Sequence, residues 1–224
     1  MSGPVVEEIL GSFVAASNAT LLGRVGNRRV VYKPIRGVRP LWDFDATTLA
    51  EREVLAWEIA EALGFAGLVP PTAIGSGPLG PGAIQDYVDA DPGFDPVPAV
   101  READPALWPI AVLDLVIDNA DRKAGHILTG SDGALRAIDH GLSLHQEPKL
   151  RTVLWGFAGQ PLPPDMVDAV EELAGRLSPI LDRVAGRLGS PEAAALGDRV
   201  SRLRDRPIHP DPPADRPAVP WPPV

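Results

Sequence analysis

The stretch Asp118-Asn119-Ala120-Asp121-Arg122-Lys123-Ala124-Gly125-His126-Ile127-Leu128 and its sequel Ala137-Ile138-Asp139-His140-Gly141-Leu142 decide how the rest of this chain is read. The apolar run Pro109–Ile117 leads into it and predicts a helix. The segments 126–128 and 135–138, joined by Gly130-Ser131-Asp132-Gly133, predict a hairpin that ends in an acid held beside a glycine. Three carboxylates and two cations between hydrophobic runs are costly to bury unless they pair or hold a metal. A solvated loop is the plain alternative for an isolated cluster of charge. The spacing favours a site, because Asp121, Lys123 and His126 stand at positions zero, two and five, and Asp139 then opens an acid-x-glycine.

That order resembles the catalytic and metal-binding loops of the protein-kinase-like superfamily. The resemblance implies that Asp121 accepts the proton of an attacking hydroxyl and that Lys123 steadies a γ-phosphate. It also implies that Asp139, with the residue at position five, binds Mg²⁺. The wording Asp-Arg-Lys-x-x-His and Ala-Ile-Asp-His-Gly-Leu is most similar to the phosphatidylinositol 3-/4-kinase branch, the type II 4-kinases especially. Within that branch the chain resembles a compact actinobacterial kinase-like family. The likeness covers roughly residues 10–160. It implies an α+β, two-lobed protein-kinase-like fold with a β-rich N-lobe over residues 5–90 and a mainly helical C-lobe over 91–206. ATP and Mg²⁺ (or Mn²⁺) are the implied cofactors. One residue departs from the pattern: His126 stands where the family has Asn, and imidazole suits Mn²⁺ better than Mg²⁺.

Ahead of these loops, Ser17-Asn18-Ala19-Thr20 and Gly26-Asn27 are turn signals around the β-rich runs Leu21–Val25 and Arg29–Lys33. Residues 5–16 read as a short helix running into a strand. By the resemblance, Ser17 and Asn18 lie over the nucleotide phosphates, and Lys33 contacts the α- and β-phosphates. Taken alone, the tip is an ordinary turn and Lys33 a strand-end lysine. Thr48 with Glu51 has the form of a capping box opening a helix that Gly64 ends. The resemblance requires an acid on that helix to hold Lys33; register against the apolar positions selects Glu53, with Glu51 second. Residues 83–88 alternate as a strand; the resemblance implies that it leads to the lobe hinge, with Gln85 and Tyr87 at the adenine edge. Residues 89–105, rich in Asp and Pro, read as linker.

Arg122 is expected to pair with a carboxylate of the lower lobe, and His140 to be a packed core histidine. Asp165–Leu188 is a helical stretch that Pro179 breaks or kinks, and Ser190-Pro191 restarts a helix to about Arg204. The Arg and acid residues of these helices read as a solvated face. Residues 207–224, mostly Pro, Asp and Arg, are expected to be extended and disordered, with Trp221 available to dock on a neighbour.

Composition bounds the rest. The 224 residues carry a net charge of −9, no cysteine and four histidines. The negative balance disfavours nucleic acid and anionic membrane surfaces. Without cysteine there is no disulfide and no thiolate zinc site, and a reducing compartment is favoured. No apolar run reaches the ~18–20 residues of a membrane span, and a cytoplasmic location is expected. The partners expected are ATP and a hydroxyl-bearing substrate, which is a lipid, a protein or a small molecule. Two other classes stay open: a nucleotide-binding pseudokinase acting as an interaction module, and a metal-dependent phosphoesterase using Asp121, His126, Asp139 and His140.

Overall fold

The computed structural model describes residues 3–13, 19–39 and 41–224. Its N-terminal part is a five-stranded antiparallel sheet in the order β1-β2-β3-β5-β4. The strands are β1 (Glu8–Ser12), β2 (Leu21–Val25), β3 (Arg28–Pro34), β4 (Thr72–Gly77) and β5 (Gly80–Asp86). Gly26 and Asn27 close the β2–β3 hairpin, and Gly26 takes the positive φ of 56° that a two-residue turn demands. Val6, Val30, Tyr32 and Ile84 form the small core on one face. The helix expected before β1 is not formed; Val5 instead bridges to Ser76 in parallel, and the strand begins at Glu8. β4 carries no clear strand signal in the sequence, because Pro70, Pro71, Gly75 and Gly77 are residues that mark loops. Gly82 has a specific need to be glycine, since a Cβ there would lie 2.3 Å from the Lys33 carbonyl oxygen.

Helix α1 (Leu49–Ala62) lies between this sheet and the helical part, packed on β4, β5 and α3. Covered on most sides, it buries Leu55, Ala56, Ile59 and Ala60 completely. The expected Thr48 capping box does not form. The chain enters α1 through a 3₁₀ turn (Ala46–Thr48), so Thr48 is already helical, and Asp45 caps by accepting from the Thr47 amide at 2.9 Å. Residues 89–105, expected as linker, contain a short helix, α2 (Pro96–Glu102), capped by Asp95 and opened by a first-turn proline.

The C-terminal part contains α3 (Trp108–Ile117), the hairpin β6 (Ile127–Thr129) and β7 (Leu135–Ala137), then α4 (Pro164–Gly175), α5 (Leu177–Arg187) and α6 (Ser190–Asp205). The break expected at Pro179 falls at Arg176 instead. Pro179 sits in the first turn of α5, where its missing N–H has no intrahelical role. The main core joins α1, α3 and the α4–α6 layer through residues such as Leu113, Ile117, Leu173 and Leu196.

The tail corrects the expectation of disorder. It runs extended but docked: the Leu162 and Gly159 amides donate to Pro207 and His209 carbonyls, and the Thr152 amide donates to that of Ala218. His209 is buried among Trp108, Trp155 and Phe157. Proline removes donors from this tail, while its carbonyls remain available, and the lower part supplies the matching amides. Trp221 is 90% exposed.

Candidate functional site

β3 delivers Lys33 and α1 delivers Glu53 to the same point. The Lys33 ammonium donates to Glu53 Oε1 and, at 2.8 Å, to Asp139 Oδ1. The second oxygen of Glu53 accepts the His140 amide at 3.1 Å. One buried carboxylate therefore ties the strand lysine to the backbone of the Asp139-His140-Gly141 turn. Its neighbour Arg52 repeats the link, donating at 2.6 Å to the Ser143 carbonyl. The turn is sharp: Asp139 itself has φ 62°. Glu51, the second choice for partner of Lys33, faces Arg187 at 3.6 Å instead.

Across the cleft, Asp121 pairs with Lys123 at 3.1 Å, and its amide donates to the Asn119 side chain at 3.0 Å. His126 Nε2 lies 3.4 Å from Asp139 Oδ2, while its Nδ1 is buried with no partner. Lys33, Glu53, Asp121 and Asp139 all line one cavity of about 230 Å³, walled by Leu49, Ala50, Val38 and Leu142.

The loop holding Asp121 and Lys123 is hung on a buried anchor. Arg122 is 0% exposed and Asp114 1%, and the guanidinium grips that carboxylate with contacts of 2.9–3.2 Å. Arg122 Nη1 also donates to the Ile138 carbonyl at 3.0 Å, next to Asp139. Asn119 donates to Asp114 at 2.9 Å. The expected carboxylate partner of Arg122 is thus Asp114, the one acid in the apolar run of α3. Arg122 Nη2 lies 2.8 Å from His140 Nε2. A guanidinium only donates, so this imidazole nitrogen accepts, and His140 is neutral with its proton on Nδ1. Residues 151–153 brace the outside: the Arg122 amide donates to the Arg151 carbonyl and the Val153 amide to that of Arg122.

Electrostatics follow from burial and pairing. Burial works to lower the Lys33 pKa, but Asp139 and Glu53 outweigh it and hold the ammonium firmly charged. Burial works to raise Asp139, yet Lys33 and His126 hold it well below the usual carboxylate range. The side chain is 49% exposed, so solvent screens part of that effect. Burial raises Asp121, with Lys123 opposing. Burial lowers His126 to about 4, against the pull of Asp139, so the ring is neutral at pH 7.

The structure brings Lys33, Glu53, Asp121, Lys123, His126 and Asp139 into one cluster. Gln85 and Tyr87 are not in the cavity wall: Gln85 is buried and donates to Thr72 at 2.9 Å, and the Tyr87 ring lies under the Arg29 guanidinium. Ser17 and Asn18 lie outside the described residues. Sequence reasoning passed over Asp114 and Arg52. A single acid inside an otherwise apolar helix was the available signal for the first; nothing distinguished the second from a surface arginine.

Known proteins complete the picture. No family model matches the chain. Over an alignment of 254 residues it is 42% identical to Protein Rv2133c of Mycobacterium tuberculosis, spanning 96% of this chain and 91% of that protein. The chain belongs to the Rv2133c family. Phosphatidylinositol 4-kinase gamma 4 of Oryza sativa subsp. japonica is 29% identical over 171 residues, which is 67% of this chain and 29% of that enzyme. A crystal structure of the Helicobacter pylori proinflammatory kinase CtkA matches with a TM-score of 0.58 at 13% identity, covering 92% of this chain and 94% of that one. The α+β, kinase-like fold of this Rv2133c-family chain is thereby shown. Among the described residues, no helix is long and apolar enough to cross a membrane.

Proposed function

We propose that this chain is a kinase-like phosphotransferase that moves the γ-phosphoryl group of ATP to a hydroxyl acceptor, with residues 5–90 and 91–206 acting as two lobes about the cleft. The observation that carries the reading is the three-way contact of Lys33, Glu53 and Asp139, made by residues from a strand, a helix and a distant loop. Such a lysine, kept charged and fixed by a buried acid, is a ready partner for nucleotide phosphates. The acceptor hydroxyl gives its proton to Asp121 as its oxygen bonds the γ-phosphorus, and the bond to the β-phosphate oxygen breaks to release ADP. Burial favours this by raising the proton affinity of Asp121. Lys123 then offsets charge on the phosphoryl oxygens.

Two donors face the place where a divalent metal would sit, the Asp139 carboxylate and Nε2 of the neutral His126, 3.4 Å from Asp139 Oδ2. Among the described residues they belong to no set of three protein ligands, so phosphate and water oxygens would complete the shell. A metal held by Asp139 and His126 would neutralise phosphate charge, and the imidazole favours Mn²⁺ over Mg²⁺. The same histidine favours a second reading, a nucleotide-binding pseudokinase, because it replaces an oxygen ligand. Single-turnover transfer from labelled ATP to added acceptors separates the two. Transfer by the wild type that is lost in Asp121→Asn, with ATP affinity retained, supports the enzyme. Equal ATP binding with no label released from either protein supports the pseudokinase.

A further inference from the structure

We propose that the chain holds a second ligand site, an arginine-lined cavity between α6 and the tail, which takes a small free phosphate ester. The cavity has a volume of about 620 Å³ and shares no lining residue with the cleft. That is ample for a small organic ligand. Leu115, Leu150 and Ile208 give it apolar walls.

Its charged wall is built from the last turns of α6 and the tail that follows. Arg199 and Arg202 stand at i and i+3 of α6, Arg206 follows directly after the helix, and Arg216 of the tail joins them. The sequence predicts a solvated face here, but Arg199 is only 8% exposed. It donates to the Val116 carbonyl at 2.8 Å and the His145 carbonyl at 3.2 Å, and its Nη2 is buried without a partner. Arg216 pairs through Nη1 with Asp215 at 3.3 Å, while its Nε is buried and unpartnered. Burial lowers Arg199 to about 10, with Asp118 opposing and Arg202 reinforcing, so it stays charged at neutral pH.

The acids in the same wall do not discharge this demand. Asp118 spends its oxygens on the Lys149 and Leu150 amides at 2.7 and 3.1 Å. Asp205 and Asp211 line the cavity, yet neither is ion-paired with Arg202 or Arg206, and Arg202 turns back to the Asp198 carbonyl at 3.2 Å. Adjacent guanidiniums, one of them buried with a donor unmet, are stabilised by an anion that accepts from several at once. Phosphate suits planar guanidinium forks, and the apolar walls suit the organic body of an ester. The net charge of −9 argues for a free molecule over a lipid headgroup on an anionic surface.

The position gives the site a route to the cleft. Asp118 begins the loop that carries Asp121, and the tail that forms the outer wall continues to Pro223, whose carbonyl accepts the Ala124 amide at 2.9 Å. An occupant therefore touches both the root of that loop and the strap across it.

The test is calorimetry with pyrophosphate and with glucose 6-phosphate, free of nucleotide and divalent metal and at constant ionic strength. It needs no activity from the cleft. Both wild type and Lys33→Ala are expected to bind with the same affinity. The double variant Arg202→Ala/Arg206→Ala is expected to bind at least about tenfold more weakly with an unchanged urea midpoint. Absence of binding to the wild type at millimolar probe overturns the proposal. So does loss in Lys33→Ala with retention in the double variant, which puts the phosphate in the cleft. Binding seen only on vesicles containing phosphatidate overturns the assignment to a free ligand.

Discussion

Two charged clusters share the loops that carry Asp121-Arg122 and Asp139-His140 and do opposite work. In one, Asp114, Asn119, Arg122 and His140 are fully buried, and the ion pair is satisfied on nearly every donor and acceptor. In the other, Lys33, Glu53, Asp121 and Asp139 line a cavity, with Asp139 about half exposed and Nε2 of a neutral imidazole 3.4 Å from it. The first has no room for a ligand and serves to fix the backbone. The second has its charges fixed by that backbone and leaves coordination capacity over. The proposed site is hung at the rim of a structural ion pair, and sequence spacing alone does not tell the two apart.

Breaking the anchor has the largest expected effect. Arg122→Ala leaves Asp114 charged and buried, and is expected to cost about 3–5 kcal/mol, read as a shift in urea unfolding. Replacing Lys33 by Met touches the other cluster. It is expected to lower phosphoryl transfer on the order of a hundredfold or more while leaving the far-ultraviolet spectrum unchanged. If both variants unfold to the same degree, the distinction between anchor and rim is wrong.

The histidine sharpens the comparison through pH. His126 is held at about 4 in the fold against an ordinary value of 6.5, because burial disfavours its charged form. The unfolded chain thus takes up the proton first. The stabilisation is complete above about pH 6.5 and is lost as the pH falls through about 4. His140 and His209 are shifted the same way. The difference in unfolding free energy between wild type and His126→Gln is expected to change by up to about 3 kcal/mol across that window, with the wild type losing more on acidification. A difference that is flat with pH contradicts the buried neutral imidazole. The smallest effect is expected where β3 begins beside the end of β5. Arg28 reaches Asp86 at 2.5 Å, but their side chains are 62% and 36% exposed. Arg28→Ala is expected to change stability by less than about 1 kcal/mol, measured the same way.

Much of the fold was legible where one signal acted alone. The hairpin around Gly26-Asn27, the helix after Pro109 and the turn at Gly130–Gly133 each stand where turn chemistry and periodicity place them. The strand β4 and helix α2 were not legible, because Pro and Gly mark both loops and the ends of short elements. The docked tail was not legible either: its stability comes from amides of residues 152–162, far away in the chain. At the site, Lys33 and Glu53 were found through spacing in a kinase-like order, and they meet in space. Arg52, Asp114 and Arg199 were missed or read as surface because a buried ion and an exposed one have the same letter. Only the three-dimensional partners separate them.

The most direct measurement is ATP binding by calorimetry with Mn²⁺, with Mg²⁺ and with neither, on wild type and on Asp139→Ala. Metal-dependent binding by the wild type, stronger with Mn²⁺ and abolished in Asp139→Ala, is the expected result. A wild type that binds no ATP under any of the three conditions would contradict the assignment of the Lys33–Glu53–Asp139 cluster to nucleotide phosphates.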